Sequence, residues 1–227
     1  MHFSLTLVDI NPRVVSAWQD QFQDFPEVRV VCDSILRQDA DAWVTPTNAR
    51  GSMDGGMDAV MKRYFGEAVE ARVRREVRVE FGGRMPVGGA VRVGTDGLHV
   101  PPGGTRPRFL VSAATMGATS EDVSATFNAA FAFAAAVFSA CAAEGAGDGW
   151  GAARSVAVPG LGTNTGRLAA RDGARQMRVA YEVLRDRGPG AFADGAYLRA
   201  DLARRLGAGA GSAPTPAARK RRFLRIF

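Results

Sequence analysis

The chain has 227 residues, of which 46% are hydrophobic and 23% charged, a composition typical of an ordinary globular protein with one substantial domain. Its formal charge of +6 suggests an anionic partner, but basic residues crowd positions 219–225 and the rest of the chain is nearly neutral. Cys32 and Cys141 are too few for a disulfide framework or a four-thiolate metal site. We therefore expect no metal and expect each cysteine to be a small buried hydrophobic residue.

The elements predicted from periodicity and turn residues alternate between strands and helices. A sheet covered by helices on both faces is therefore expected. In chain order we predict a strand at 3–8, a helix at 12–22, strands at 28–31 and 42–44, a glycine-rich loop at 51–56, helices at 58–65 and 69–81, strands at 88–93 and 109–113, an alanine-rich helix within 123–143, a strand at 155–158, a second glycine-rich loop at 160–166, and helices at 168–184 and 193–206.

Three segments bear on the expected cellular location and on the limits of the domain. The N-terminal segment lacks the basic start and long apolar core of a signal peptide, so a cytoplasmic location is expected. The run at 123–143 is almost uncharged, but alanine drives membrane insertion weakly and Asn128 interrupts the run, which favours a buried core helix. The composition of residues 207–227 cannot bury a core, so we expect a disordered basic tail after a domain at 1–206.

Candidate ligand-binding residues follow several predicted strands, where open α/β sheets bind ligands. Asp33 follows the second strand and Asn48 follows the third. Each has a simpler interpretation, since Asp33 can cap a helix and Asn48 can close a turn through its side chain. Taken together with them, the two glycine-rich loops can present rows of backbone N–H groups to an anion.

The loops differ from the common nucleotide-binding motifs. Neither has a lysine placed as in a nucleotide-hydrolysing P-loop, and Gly160–Thr165 lacks the spacing of the dinucleotide fingerprint. Phosphates would therefore be held by backbone and hydroxyl groups without a metal. This pattern indicates a diphosphate bound as a recognition handle, with the chemistry placed elsewhere.

The motifs in this order resemble the macro domains of the ADP-ribose-1″-phosphate-processing type. Trp43–Asn48 and Gly55–Val60 are similar to the family's Val-Asn-Ala-Ala-Asn and Gly-Gly-Val-Asp-Gly-Ala-Ile segments. Val158–Thr163 is similar to its Phe-Pro-Ala-Ile-Gly-Thr-Gly loop, and Cys32–Ile35 stands where the family has Gly-Asp-Ile. The resemblance covers about residues 28–187 and implies a three-layer α/β/α fold with a central mixed sheet of six to seven strands.

The resemblance also implies which residues bind and act. Asp33 would accept a hydrogen bond from the adenine amino group, and Asn48 would bind the distal ribose hydroxyls. The ten-residue step from Asn48 to Asp58 matches MacroD-type members, which remove ADP-ribose from proteins. Asp58 would lie near the anomeric carbon and orient the attacking water or accept its proton, without a cofactor. The predicted catalytic residues are Asn48 and Asp58, and the predicted ligand-binding residues are Asp33, Ser34, Ile35, Asn48, Gly55, Gly56, Pro159, Gly160, Leu161, Gly162, Thr163, Asn164, Thr165 and Gly166.

Several departures from the family pattern bear on catalysis. Thr45 replaces the first asparagine, Pro46-Thr47 replaces the alanine pair, and Leu110–Met116 has no histidine where many MacroD-type members have Ile-His-Thr-Val-Gly-Pro. The run at 53–58 looks more like a divergent bacterial or phage-associated branch. We predict ADP-ribose binding and favour hydrolysis of mono-ADP-ribose esters on proteins or on metabolites such as O-acetyl-ADP-ribose.

The alternative function is a non-catalytic module that binds ADP-ribose. The departures at Thr45 and in the segment without histidine favour this alternative. In either case the expected partner is ADP-ribose, an ADP-ribosylated protein or an ADP-ribosylated metabolite. Nucleic acid is not favoured because no aromatic platform accompanies the basic tail, no membrane partner is expected, and the sequence leaves the oligomeric state open.

Overall fold

The computed structural model describes residues 3–117, 127–141, 152–187 and 195–207, with the backbone alone described at 187 and 195–199. Strands and helices alternate as predicted, with ends shifted by a few residues. The elements are β1 (Ser4–Asp9), α1 (Pro12–Phe22), β2 (Val28–Cys32), a short 3-10 helix (Ile35–Arg37), β3 (Ala42–Asn48), α2 (Gly56–Phe65), α3 (Ala68–Phe81), β4 (Ala90–Gly94), β5 (Phe109–Met116), α4 (Asn128–Cys141), β6 (Ser155–Val158), α5 (Ala170–Arg187) and α6 (Gly195–Leu206).

The described strands form one mixed sheet of six strands in the order β2-β1-β6-β3-β5-β4. Only β4 is antiparallel to its neighbour, so the other five strands bring their carboxyl ends to the same edge of the sheet. The predicted α/β fold with a central mixed sheet is confirmed. Its topology places the segments that follow β1, β2, β3 and β6 side by side, although they are far apart in sequence.

Helices cover both faces of the sheet because successive strand residues point to opposite sides. Leu7, Val44 and Val111 pack with α1, α4 and α5 on one face, whereas the residues directly next to them, Val8, Trp43 and Leu110, pack with α2 and α3 on the other. The resulting arrangement is three layers, with a separate apolar core on each side of the sheet.

Helix α4 belongs to the core, as its alanine-rich sequence predicted. Ten of its residues are buried, including Asn128, whose side-chain amide donates a hydrogen bond to the Thr115 carbonyl at 3.0 Å. No helix among the described residues combines the length and apolar character needed to cross a membrane. The basic tail at 208–227 lies outside the described residues, so its disorder stays a prediction.

Two local expectations need correction. Cys32 is exposed, not buried, because it ends the edge strand β2. Cys141 is half-buried, and burial raises the pKa of its thiol to about 12. Strand β3 continues four residues beyond the predicted Val44, to Asn48, and is paired with β5 along its whole length.

Strand β3 extends beyond the part of the sheet in which it is paired with β6. Pairing between these strands ends at Trp43 and Ala157, so Pro46 lies beyond the part of β3 that is flanked on both sides. A proline is tolerated there because no partner strand on the β6 side requires its missing N–H group. Beyond Trp43, β3 is paired with β5 alone, up to the carboxyl edge of the sheet, where the predicted loops begin.

Candidate functional site

A cleft of about 490 Å³ lies at the carboxyl edge, between the glycine-rich loops 51–56 and 160–166. A second, more open groove between α1 and α5 carries none of the predicted residues. The cleft is lined by Asp9, Ile10, Asn11, Val14, Pro46, Thr47, Asn48, Ser52, Asp54, Gly55, Gly56, Met57, Asp58, Val60, Thr115, Met116, Gly160, Gly162, Thr163, Asn164, Thr165 and Gly166. Most of the predicted residues are thus brought together, from segments more than a hundred positions apart.

Loop 160–166 folds back on itself and leaves most of its amides without an acceptor. The Leu168 N–H group donates to the Gly162 carbonyl at 3.0 Å, and the Arg167 N–H group donates to the Asn164 carbonyl at 2.9 Å. Among the residues that the structure describes, the N–H groups of 161–166 donate to no acceptor. Consecutive free amides in a curved loop form a concave donor surface that suits an anion.

Close packing within this loop requires glycine. A Cβ atom at Gly166 would lie 2.5 Å from the Gly162 carbonyl oxygen, and one at Gly160 would lie 2.6 Å from Thr163 Oγ1. Any side chain at Gly166 would push the two ends of the loop apart. Pro159 and Leu161 are buried behind the loop and do not line the cleft, so they support its position without facing a ligand.

Asp9 is a cleft residue that the sequence analysis missed. Its Oδ2 atom accepts the Gly160 N–H at 3.0 Å, and its Oδ1 atom accepts the Asn11 N–H at 2.8 Å. The carboxylate therefore ties the end of β1 to the start of the second glycine-rich loop. The signal that could have identified it is the one used for Asp33, an acidic residue at the carboxyl end of a predicted strand.

The first glycine-rich loop leads into the N-terminus of α2. Gly55 is the N-cap and supplies no side-chain cap, so the first amides of the helix stay available on the cleft side. A Cβ atom at Gly56 would lie 3.7 Å from Thr165 Oγ1, which brings the two loops almost into contact across the cleft. An anion between the loops would meet donors from both sides.

Lys62 holds this loop and is not available to a phosphate. Its Nζ atom bonds Glu70 at 2.7 Å and Glu67 at 2.9 Å, and it lies 4.0 Å from Asp54. These contacts raise the pKa of Lys62 and connect the loop to α2 and α3.

Asp58 lies on the floor of the cleft, in the first turn of α2, and is only 3% exposed. The Thr45 hydroxyl donates to Asp58 Oδ1 at 2.8 Å. Burial raises the pKa of Asp58 to about 7, nearby Glu70 and Asp54 act in the same direction, and the hydroxyl groups of Thr47 and Thr45 oppose the shift. Near neutral pH this carboxyl group exists in both forms and can accept a proton.

The polar side-chain atoms of Asn48 form hydrogen bonds with the loop that follows it. Its Oδ1 atom accepts the Arg50 N–H at 2.9 Å and the Ser52 N–H at 3.3 Å. Its Nδ2 atom donates to the Ser52 carbonyl at 2.9 Å. The turn-closing role is therefore what the geometry shows, and one amide N–H remains for a ligand.

The segment 33–35 lies beside the cleft and does not line it. Asp33 accepts hydrogen bonds from the Ser34 N–H at 2.7 Å, from the Arg37 guanidinium, and from Gln38 Nε2 at 3.2 Å. The Arg37 guanidinium, followed by the Ser34 amide, holds the pKa of Asp33 below its ordinary value. The Asp33 N–H donates to the Asp9 carbonyl at 3.1 Å, so Asp33 sits one strand outward from the cleft wall.

The other two residues of that segment have structural contacts. Ser34 caps the 3-10 helix by accepting the Leu36 N–H at 3.3 Å, and Ile35 is buried in the core beside Trp43. Within the described ranges no group of three or more His, Cys, Asp or Glu side chains could hold a metal ion. The donors available at the cleft are therefore backbone amides, hydroxyls and carboxylates.

Comparison with known proteins finds relatives that are similar to this chain in sequence. No protein-family model matches the chain. It is 31% identical over 151 residues to an uncharacterized protein of Aeropyrum pernix, a match that covers 66% of this chain and 68% of that protein. It is 40% identical over 65 residues to an uncharacterized protein of Aquifex aeolicus, covering 29% of this chain and 36% of that protein, so the chain spans about a third of this relative.

Among solved structures, the chain is similar to the macrodomain of Mycobacterium tuberculosis DarG. The TM-score is 0.49 and the sequence identity is 20%, over 67% of this chain and 88% of that chain.

Proposed function

We propose that this chain, which belongs to one family with the Aeropyrum pernix protein, binds ADP-ribose or a related ADP-ribosyl metabolite and hydrolyses mono-ADP-ribose esters. The observation that carries the ligand assignment is the row of free amides at 161–166, in a loop that lines the cleft together with the N-terminus of α2. Two sets of N–H donors suit two adjacent anionic groups, such as a diphosphate. The resemblance to macro-domain motifs at the same two loops indicates that the ligand carrying this diphosphate is ADP-ribose.

The order of the strands supports the proposed placement of the ligand. Asp33 lies at the β2 side of the cleft, where the resemblance puts adenine. Gly55, Gly56 and Asp58 lie at the β3 side, where it puts the distal ribose. A diphosphate over loop 160–166 would connect the two ends, since β6 lies between β1 and β3.

Asp58 is the residue proposed to act in hydrolysis. A carboxyl group with a pKa of about 7 accepts a proton efficiently near neutral pH. A water molecule attacking the anomeric carbon would pass its proton to Asp58, and the bond between that carbon and the ester oxygen would break. The leaving carboxylate is stable on its own, so the step requires neither a metal nor a separate acid.

A specific observation favours the alternative of a non-catalytic ADP-ribose-binding module. Asn48, the second predicted catalytic residue, is committed to the turn at 48–52. A side chain held in this way can shape the site without assisting a reaction. Binding without turnover would identify this alternative.

The ligand assignment is tested by calorimetric titration of the purified full chain with ADP-ribose. Micromolar affinity is expected, which corresponds to about −8 kcal/mol. Ribose 5-phosphate and AMP serve as matched halves of the ligand and should bind much more weakly. If millimolar ADP-ribose produces neither heat nor a thermal shift, the proposed function is wrong. Hydrolysis is then measured with a mono-ADP-ribosylated glutamate peptide and with O-acetyl-ADP-ribose.

Gly55→Ala should weaken ADP-ribose binding at least about tenfold. The φ angle of −156° is one that any residue adopts, and a Cβ atom at Gly55 would meet no protein atom within 4 Å. The added methyl group would therefore strain nothing in the protein and would project where the distal ribose is proposed to lie. Calorimetry and thermal unfolding together check this expectation. Unchanged affinity would place the ligand away from the α2 N-terminus.

Asp33→Ala should weaken ADP-ribose binding by about tenfold, the usual effect of losing one hydrogen bond to a charged group. The Asp33 carboxylate is partly exposed and would accept the adenine amino group. Arg37→Ala is the matched control because it removes the main partner of Asp33 and leaves the acceptor in place. If the alanine variants of Asp33 and Arg37 bind equally, the adenine contact lies elsewhere.

A further inference from the structure

Thr47 has an unexplained hydroxyl group in the cleft. Its side chain is 2% exposed, and its Oγ1 atom has no hydrogen-bond partner among the described residues. A buried hydroxyl without a partner costs free energy, so such groups in folded proteins are usually satisfied by another polar group or by a bound water molecule. Thr47 and Asp58 both line the cleft.

The geometry of β3 places this hydroxyl beside Asp58. Thr45 and Thr47 are two residues apart and therefore point to the same face of the sheet, toward α2. The Thr45 hydroxyl group donates a hydrogen bond to Asp58 Oδ1 at 2.8 Å. The other carboxylate oxygen, Oδ2, accepts no hydrogen bond from the described residues. The Thr47 hydroxyl is close enough to stabilise the charged form of Asp58 but makes no hydrogen bond of ordinary geometry with it.

Two polar groups that are close but not bonded to each other can share one water molecule. We propose that Thr47 is a further catalytic residue, whose hydroxyl and Asp58 Oδ2 together hold the water that attacks the ADP-ribosyl ester. The inference rests on the proposed function, and it assigns a role to a residue that stands where the macro-domain motif has alanine. Thr45 acts as a positioning residue because it fixes the orientation of the Asp58 carboxyl group.

The step balances with these groups alone. The water oxygen forms a bond to the anomeric carbon of the distal ribose, and the bond from that carbon to the ester oxygen breaks. The electron pair of the broken bond leaves with the carboxylate of the modified side chain. One water proton passes to Asp58 Oδ2, while the other is donated in a hydrogen bond to Thr47 Oγ1, which directs a lone pair of the water at the sugar.

Thr47→Val tests the proposal because valine keeps the shape of threonine and removes the hydroxyl. We expect kcat for the ADP-ribosyl ester to fall about 100-fold, within the range for losing one catalytic hydrogen-bonding group. The dissociation constant for ADP-ribose should stay within about twofold, since product binding does not need the attacking water. Thr47→Ser restores a hydroxyl and should recover most of kcat.

Ser112→Ala is the matched control. Ser112 Oγ is also buried without a hydrogen-bond partner and lies on β5 directly opposite Thr45, but it does not line the cleft. Its loss should leave kcat and KM unchanged. Thr47→Ala provides a second variant without the hydroxyl if valine impairs folding.

Each outcome decides the question. A selective loss of kcat with rescue by serine supports the proposal. Wild-type turnover in the valine variant, or parallel losses of kcat, ADP-ribose affinity and unfolding temperature, would overturn it. Wild-type protein that binds ADP-ribose but hydrolyses no ester would overturn the catalytic role of Thr47 and leave the ligand assignment intact, whereas wild-type protein that binds no ADP-ribose would remove both.

Discussion

Asp58→Asn is expected to abolish ester hydrolysis and, at the same time, to stabilise the protein above neutral pH. The pKa of the buried Asp58 carboxyl group is raised from 3.8 to about 7 in the folded state. Its stabilising protonated form is fully present below pH 3.8 and is lost as the pH rises through 7. By pH 8 the folded state carries a buried charge whose cost, relative to the unfolded chain, is about 4 kcal/mol.

The measurement is urea unfolding of both proteins at pH 4, 6 and 8. The free energy of unfolding of the asparagine variant should exceed that of the wild type by an amount that grows with pH and levels off above pH 7. Asp96→Asn is the control, since Asp96 is exposed and its replacement should change little. A stability difference independent of pH would show that Asp58 ionises normally, and turnover retained by the variant would remove Asp58 from the mechanism.

Gly166→Ala is expected to weaken ADP-ribose binding by at least about 100-fold, or roughly 3 kcal/mol. A methyl group at this position would lie 2.5 Å from the Gly162 carbonyl oxygen and 3.0 Å from the Gly162 Cα atom, and neither backbone atom can rotate away. The loop must therefore open, which disperses the amides of 161–166. Because the loop lies at the surface of the fold, the melting temperature should fall by only about 2–4 °C.

Calorimetry with ADP-ribose and a thermal melt separate these two effects. Gly103→Ala is a suitable control because Gly103 lies in a distant turn, where a Cβ atom would meet nothing within 4 Å. Its φ of +71° makes the substitution locally strained, so it tests whether general strain alone affects binding. Affinity retained by the Gly166 variant would mean that the diphosphate is held by another part of the cleft.

Local patterns in the sequence were enough to predict the elements and the loops. The short apolar runs and the helical spacing of Val69, Val73 and Val77 identify strands and helices because burial on one face imposes those periods. The glycine-rich segments at 51–56 and 160–166 predict that the backbone comes close to other atoms there, because a residue with a side chain would not fit. Helix α4 was predicted from composition, since an uncharged alanine-rich run can only be covered by other elements.

Local patterns give less information about residues whose role depends on their neighbours in space. The prediction that Asn48 binds a ribose stays a prediction, and the structure adds that its side chain holds the turn at 48–52. Thr45 was taken as a departure that favours a non-catalytic module, and the structure shows that its hydroxyl group donates a hydrogen bond to Asp58. Asp9 was not identified because its structural role depends on a hydrogen bond with Gly160, a residue 151 positions away.

Local sequence is sufficient to predict the alternation of strands and helices, the two glycine-rich loops, and the positions of the carboxylates along the chain. Those properties depend on residues within one turn or one strand. Three further features appear only in the folded protein: the pairing of β3 with β6 ends at Trp43, Asp9 contacts Gly160, and Thr47 and Asp58 both line the cleft. These depend on the pairing of strands that are distant in sequence, because the order β2-β1-β6-β3-β5-β4 sets which carboxyl ends become neighbours.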